Sequence, residues 1–129
     1  MTRVLLDTHA LIWLLIEPDR LSQRSRALLA ELDTTVFVSP VSAYEIGRKN
    51  HLGKLGTASV VAEGFGGHLR RIGAEDLELS SIHAFLAARL PSAHRDPFDR
   101  LLAAQSLAED IPVVTQDRAI AELGAATIW

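Results

Sequence analysis

Short apolar runs alternate with helical patterns along this whole chain, and no hairpin signal joins any two of the runs. Arg3-Val4-Leu5-Leu6, Thr35-Val36-Phe37-Val38, Leu77-Glu78-Leu79 and Ile111-Pro112-Val113-Val114-Thr115 read as strands, and Ala126-Thr127-Ile128-Trp129 closes the chain. Helical patterns lie between them. Ala10 to Ile16 is one; a second is capped by Ser22 with Leu28, Leu29 and Leu32 as its apolar face, and a third opens at Ser39-Pro40 and stops near Gly53. Ala58 to Ile72 is a fourth, weak or bent because Gly64, Gly66 and Gly67 each cost about 1 kcal/mol relative to Ala. Ser81 to about Leu90 is a fifth. Strands that reach one another only through helices form βα units, so the expected class is α/β: one domain over residues 1–129, with a central mostly parallel sheet flanked by helices.

The stretch from His94 to Gln105 adds a constraint of its own. Pro97 has no N–H to lose at a first helical position, and Asp96 before it accepts from the free backbone donors, so a helix begins there. Leu101, Leu102 and Ala104 start an apolar stripe that Leu107 and Ala108 continue at helical spacing. Asp99 lies in the first turn, at the mouth of a helix otherwise built for a core.

Composition narrows the function classes. Hydrophobic residues make up 48% of the chain, which speaks for an ordered globule. Cysteine is absent, so disulfides and thiolate metal sites are excluded and a reducing cytoplasm is the expected location. The longest apolar run, Ala10 to Ile16, is far short of the roughly 20 residues that span a bilayer, and no signal-peptide pattern surrounds it. A net charge of −3 is wrong for bulk electrostatic binding of nucleic acid, so a phosphate substrate here requires local positive charge or a metal.

Asp7, Glu45, Asp99 and Asp117 all fall at or just inside the expected start of a helix, and three of those helices follow directly on a strand. In a parallel sheet such junctions share one edge, where ligands of open α/β sheets bind. Acids also favour helix N-termini for structural reasons alone: Asp7, Asp96 and Asp117 read equally as caps, and Ser42-x-x-Glu45 matches a capping box. Four caps do not explain convergence, however, because carboxylates about 5 Å apart repel by roughly 3 kcal/mol at an effective dielectric near 20. A divalent cation offsets that repulsion. All-oxygen ligands favour Mg²⁺ or Mn²⁺, and carboxylates holding such ions activate water toward phosphodiesters. No Cys and no closely spaced His pair is present to favour zinc.

These four segments resemble PIN-domain ribonucleases, and within them the VapC-type toxins of toxin–antitoxin pairs. Leu5-Leu6-Asp7-Thr8 is similar to the family's opening motif, and Ser42 with Glu45 to its second. Asp99-Arg100-Leu101-Leu102-Ala103-Ala104 is similar to the third motif and Val114-Thr115-Gln116-Asp117 to the fourth. The resemblance covers essentially the whole chain. It implies a Mg²⁺- or Mn²⁺-dependent endoribonuclease that homodimerises and is inhibited by a cognate VapB-like antitoxin. It further implies that Asp7, Glu45 and Asp99 hold the metal, with Asp117 completing the pocket. Asp96, three residues from Asp99, then reads as a supporting or capping residue, and Thr8 and Thr115 as hydrogen-bond partners of a ligating carboxylate or water.

His9, His94, Arg95, Arg100 and Arg118 lie close in sequence to the acids and are candidate RNA-phosphate contacts; solvated charge balance is the alternative for each. Trp13, Tyr44 and Trp129 have apolar neighbours and no interleaved basic stripe, which favours packing over base stacking. Ala10 to Ile16 is apolar all round the helix, so part of it is expected to face a partner, a second copy or the antitoxin, unless the core covers it completely. Two rival functions use similar elements. A receiver-type phosphotransfer domain needs paired acids after the first strand and a late Lys, but Asp7 stands alone and no Lys follows Lys54. A PIN-like binding module without catalysis is the other, and the presence of all four acids argues against it.

Overall fold

The computed structural model describes residues 1–129. Five parallel strands, β1 (Thr2–Leu6), β2 (Thr34–Val38), β3 (Glu75–Asp76), β4 (Val113–Val114) and β5 (Thr127–Ile128), form one sheet in the order β3-β2-β1-β4-β5. Seven helices connect them: α1 (Thr8–Ile16), α2 (Gln23–Ala30), α3 (Pro40–His51), α4 (Phe65–Arg71), α5 (Ser81–Arg89), α6 (Pro97–Glu109) and α7 (Arg118–Glu122). The α/β architecture with a parallel sheet is as the alternation of segments predicts.

Strand residues alternate between two cores. Val4, Leu6, Val36, Val38 and Val114 point into a cluster with Ala10, Leu11 and Trp13 of α1, Ile46 of α3 and Leu69 of α4. Leu5 and Val113 point the other way, into a cluster with Ala87 of α5, Leu102, Ala103 and Ala104 of α6, and Ile120 of α7. The period of two in a strand sends successive side chains to opposite faces, which is why β1 reads as a continuous apolar run.

In the register of the sheet, Asp76, Val38, Leu6, Val114 and Ile128 lie on one line, so all five strands end together. The chain moves outward from β1 in one direction to β2 and β3, then returns to add β4 and β5 on the other side. The order therefore reverses between β1 and β4, and a crevice opens at that point in sheets of this kind.

Several local expectations are corrected. The third strand is Glu75–Asp76 instead of Leu77–Leu79. Leu77 N–H still donates to the Val38 carbonyl, but the Gln105 amide of α6 takes the carbonyls of Leu77 and Glu78, at 3.1 and 3.4 Å, and draws the chain away from the sheet. Leu32 is fully exposed, because α2 ends at Ala30 and Leu32 falls in the turn beyond it. The segment 58–72 is broken into a 3-10 turn (Gly56–Val61) and α4, with Gly64 in the left-handed conformation (φ +62°) between them. In α6 the buried face is Leu102 to Ser106; Leu107 and Ala108 face solvent. Ser42 forms no capping box. The cap of α3 is Ser39, whose hydroxyl accepts from Val41 N–H at 3.0 Å, with Pro40 in the first helical position.

Candidate active site

Asp7 follows the last residue of the central strand and begins α1. One carboxylate oxygen accepts from Ala10 N–H at 2.7 Å, the other accepts from the Thr115 hydroxyl, and Asp7 N–H donates to the Val114 carbonyl at 3.2 Å. The residue is 7% exposed. Burial pushes its carboxyl pKa above the usual 3.8, outweighing the hydrogen bonds from Thr115 and Ala10; the nearby charge of Asp117 pushes the same way.

Thr115 lies just past β4, across the reversal point from Asp7. Its hydroxyl donates to Asp7 and accepts from Asp117 N–H at 2.9 Å, so one side chain ties the two strand-end acids together. Asp117 caps α7 by accepting from Ala119 N–H at 2.9 Å and is otherwise exposed.

Asp99 comes from another direction, on the first turn of α6. It is half-buried and accepts from His94 Nε2 at 2.8 Å. Burial raises its pKa above 3.8, and the charges of Asp96 and Asp117 add to the rise while the His94 bond opposes it. The hydrogen bond to Asp99 raises the His94 pKa above 6.5, and the charges of Asp96 and Asp117 push it the same way. Asp7, Asp96, Asp99, Asp117 and His94 thus form one electrostatically coupled group. Asp96 caps α6 through Phe98 N–H at 2.9 Å from an exposed position, whereas Asp99 is the more enclosed.

Glu45 is set apart. It occupies the sixth position of α3, mid-helix instead of at the start, and its carboxylate is 2.6 Å from Lys49 Nζ one turn on. One buried contact links this helix to the Asp7 junction: the Thr8 hydroxyl donates to the Ser42 hydroxyl at 3.0 Å, and Ser42 precedes Glu45 by one turn. The metal-ligand atoms that lie within 4.8 Å of one another belong to His94, Asp96 and Asp99; Asp7, Glu45 and Asp117 are not in that group. The donors around Asp7, Asp99 and Asp117 are nonetheless carboxylate and hydroxyl oxygens holding more negative charge than their surroundings offset. They suit a hard divalent cation.

The cations named from sequence fall into separate places. Exposed Arg118 lines a cleft of about 400 Å³ with Gln116, Asp117 and Trp129. His9 lines another of about 290 Å³ with Arg20, Lys49 and Lys54. His94, Arg95 and Arg100 border a third of about 490 Å³. Arg95 is exposed, but Arg100 is not a free cation: its guanidinium donates to four main-chain carbonyls. Lys49 lies in the last turn of α3, where positive charge suits the helix dipole, and its i,i+4 spacing from Glu45 also makes it that acid's partner. Trp13 is buried against Trp129 in an edge-on contact, with Arg20 over its ring at 4.7 Å, so it packs as expected. Tyr44 is exposed beside Phe98.

Comparison with known proteins bears on the family and the fold. The PIN domain family profile matches residues 4–126. Ribonuclease VapC22 of Mycobacterium tuberculosis is 30% identical over 122 residues, covering 92% of this chain and 89% of that protein. In fold, the chain is similar to a chain of VapBC2 from Rickettsia felis, solved bound to a promoter DNA fragment, with a TM-score of 0.71, 16% identity and 98% of each chain covered. FitAcB from Neisseria gonorrhoeae gives a TM-score of 0.67 at 21% identity, covering 98% of this chain and 96% of that one.

Proposed function

Since the chain belongs to the PIN domain family, we propose that it is a Mg²⁺- or Mn²⁺-dependent endoribonuclease, the toxin of a toxin–antitoxin pair acting in the cytoplasm. The observation that carries this reading is the union of Asp7, Thr115 and Asp117 at the sheet's reversal point, coupled electrostatically to Asp99. Asp7, Asp99 and Glu45 would hold the cation and Asp117 would complete the acidic pocket. A divalent cation held there would supply Lewis-acid activation of water and charge neutralisation at the phosphoryl group. Thr115 orients the Asp7 carboxylate, and Thr8 with Ser42 keeps the α3 turn that carries Glu45 against the start of α1. Arg95, Arg118 and His9, exposed in clefts around the acids, meet RNA phosphates.

The partners follow from the same reading. Chains of similar fold occur in VapBC and FitAB complexes, which supports a VapB-like antitoxin as the inhibitor. Ile82 and Phe85 on α5 are 72% and 73% exposed, an apolar surface that supports a homodimer. The outer face of α1, Ile12 and Leu14 to Ile16, is only half-buried and supports a second contact, with the antitoxin.

The test is cleavage of a mixed pool of structured and single-stranded RNAs with Mg²⁺, Mn²⁺ or EDTA, against folded Asp7→Asn and Asp99→Asn. Metal-dependent cutting that both substitutions abolish is the expected result. No cutting by antitoxin-free protein under any of these conditions overturns the nuclease reading in favour of a binding module.

A further inference from the structure

Arg100 stands beside an acid of the site, yet its donors are all turned inward. Nε donates to Ala87 O at 2.9 Å, Nη2 to Leu90 O at 2.7 Å, and Nη1 to His94 O at 2.8 Å and Ser92 O at 3.4 Å. Ala87 and Leu90 lie at the C-terminal end of α5, where carbonyls lack helical partners. Pro91 follows, and proline has no N–H with which to close the helix. The guanidinium therefore serves as the missing cap, a fork of fixed geometry whose charge also suits the negative end of the helix dipole.

The same fork reaches past the helix to the loop that carries His94. Asp99 and Arg100 are adjacent on α6, and they hold one histidine from two sides: Asp99 by its imidazole, Arg100 by its backbone carbonyl. Arg95, next to that histidine, is exposed and has no hydrogen-bond or ion-pair partner. Two arginines of one short stretch are thus in opposite situations.

We propose that Arg100 is a positioning residue that clamps the loop from Leu90 to His94 onto α6 and thereby holds His94 against Asp99, and that Arg95 alone of the pair contacts RNA phosphate. The proposal rests on the nuclease reading for its consequence in catalysis, but its structural half stands without it. Removing the clamp frees the His94 loop and lets the Asp99 carboxylate sample orientations that do not serve the site. The charge of Arg100 is already spent on carbonyls, so little of it is available to a phosphate.

Arg100→Lys is the informative variant, because it keeps the charge while a lysine ammonium cannot span four carbonyls in a planar fork. The first readout is the His94 imidazole ¹H–¹⁵N spectrum of metal-free protein: the hydrogen-bonded Nε2 signal of the parent is expected to be lost in Arg100→Lys, and its persistence overturns the clamp. The second is RNA affinity against salt in the Asp7→Asn background. There Arg95→Ala should lower the slope of log K on log salt by about one, the signature of one lost phosphate contact, while folded Arg100→Gln, which removes the charge, leaves it unchanged. A lower slope in Arg100→Gln makes Arg100 a phosphate contact and overturns the proposal.

In cleavage, Arg100→Lys and His94→Ala are each expected to reduce kcat about tenfold with KM unchanged, and the double variant to be no slower than either, since both act through one contact. Additive losses overturn the shared route. If Asp99→Asn cuts RNA like the parent, the nuclease reading of Asp99 fails, while the imidazole spectrum still decides whether Arg100 holds His94.

Discussion

The acids at the strand ends and the acids on the helices are held in place by different means. Asp7 and Asp117 follow directly on β1 and β4, and their positions are set by main-chain pairing and a single shared hydroxyl, that of Thr115. Neither carboxylate has a cation bonded to it. Asp99 and Glu45 arrive on α6 and α3, and each is already bonded to a basic side chain, His94 or Lys49. The strand-end acids are therefore rigid and electrostatically exposed to one another. Those on the helices are partly neutralised and depend on helix packing and on their partners for position. The difference teaches that the centre is strained at Asp7 and adjustable at Glu45 and Asp99.

The sharpest way to break the comparison is to neutralise one acid of each kind. Asp7→Asn and Asp99→Asn should each reduce cleavage by about 10²–10³, the scale of losing one pre-organised charged group, measured as kcat/KM on a defined RNA. Their effects on metal-free stability should differ. A raised carboxyl pKa stabilises the fold fully below the unfolded value of 3.8, and that contribution is lost as pH rises through the raised value. Burial therefore disfavours the ionised form of Asp7. Asparagine keeps the cap to Ala10 N–H, and the Thr115 hydroxyl, a donor and an acceptor both, can turn to accept from its amide, so Asp7→Asn should raise the Tm of metal-free protein at pH 7 by about 3 °C, the shift worth roughly 1 kcal/mol in a chain of this size. Asp99→Asn should gain less, because Asp99 is less buried than Asp7 and accepts from His94 Nε2 at 2.8 Å. Equal gains in the two thermal melts dissolve the distinction between rigid and adjustable acids.

A smaller effect is expected from Thr115→Val, which removes the donor to Asp7 and the acceptor for Asp117 N–H together. A hydrogen bond to a charged group contributes about 1.5–3 kcal/mol, so denaturant unfolding should show a loss near 2 kcal/mol, with Thr115→Ser restoring most of it. If valine is tolerated in both stability and cleavage, Thr115 does not organise the strand-end pair.

The helix side carries its own pH dependence. Asp99 raises the His94 pKa, so the stabilisation from this pair is complete below the ordinary histidine value of 6.5 and is lost as pH rises through the raised value. Melting curves of parent and His94→Ala should therefore differ most in mildly acidic buffer and converge in alkaline buffer. Smallest of all is Lys49→Met. The Glu45–Lys49 pair is a partly exposed i,i+4 contact worth about 0.5 kcal/mol, and releasing Glu45 should tighten Mn²⁺ binding by about two- to threefold in a titration. Weaker Mn²⁺ binding in that variant would mean that Lys49 supports the site instead of competing with it.

Much of this was legible in the residues themselves. The caps at Asp7, Ser22, Ser39, Asp96 and Asp117 stand where capping chemistry predicts, because a cap needs only a side-chain oxygen two or three residues from a free N–H. The parallel sheet follows from strands that meet only through helices. One error lies where a distant partner overrides local preference: Gln105 of α6 turns Leu77 and Glu78 out of the sheet. Another is a choice between neighbours, where Ser39, next to Pro40, caps α3 in place of Ser42.

Local pattern alone determined that strands alternate with helices, where most helices begin and that the strand-end acids share one edge of a parallel sheet. Only the tertiary structure decided what each acid is bonded to. Asp7 and Thr115 are 108 residues apart and meet because β4 returns to pair beside β1. Arg100 reads in sequence as a cation beside an acid, and becomes a cap for α5 because α5 packs on α6. Capping and periodicity act over a few residues and are written in the neighbours of each position; strand order and helix packing join residues far apart, and they alone set the partner and the charge of each group in the crevice.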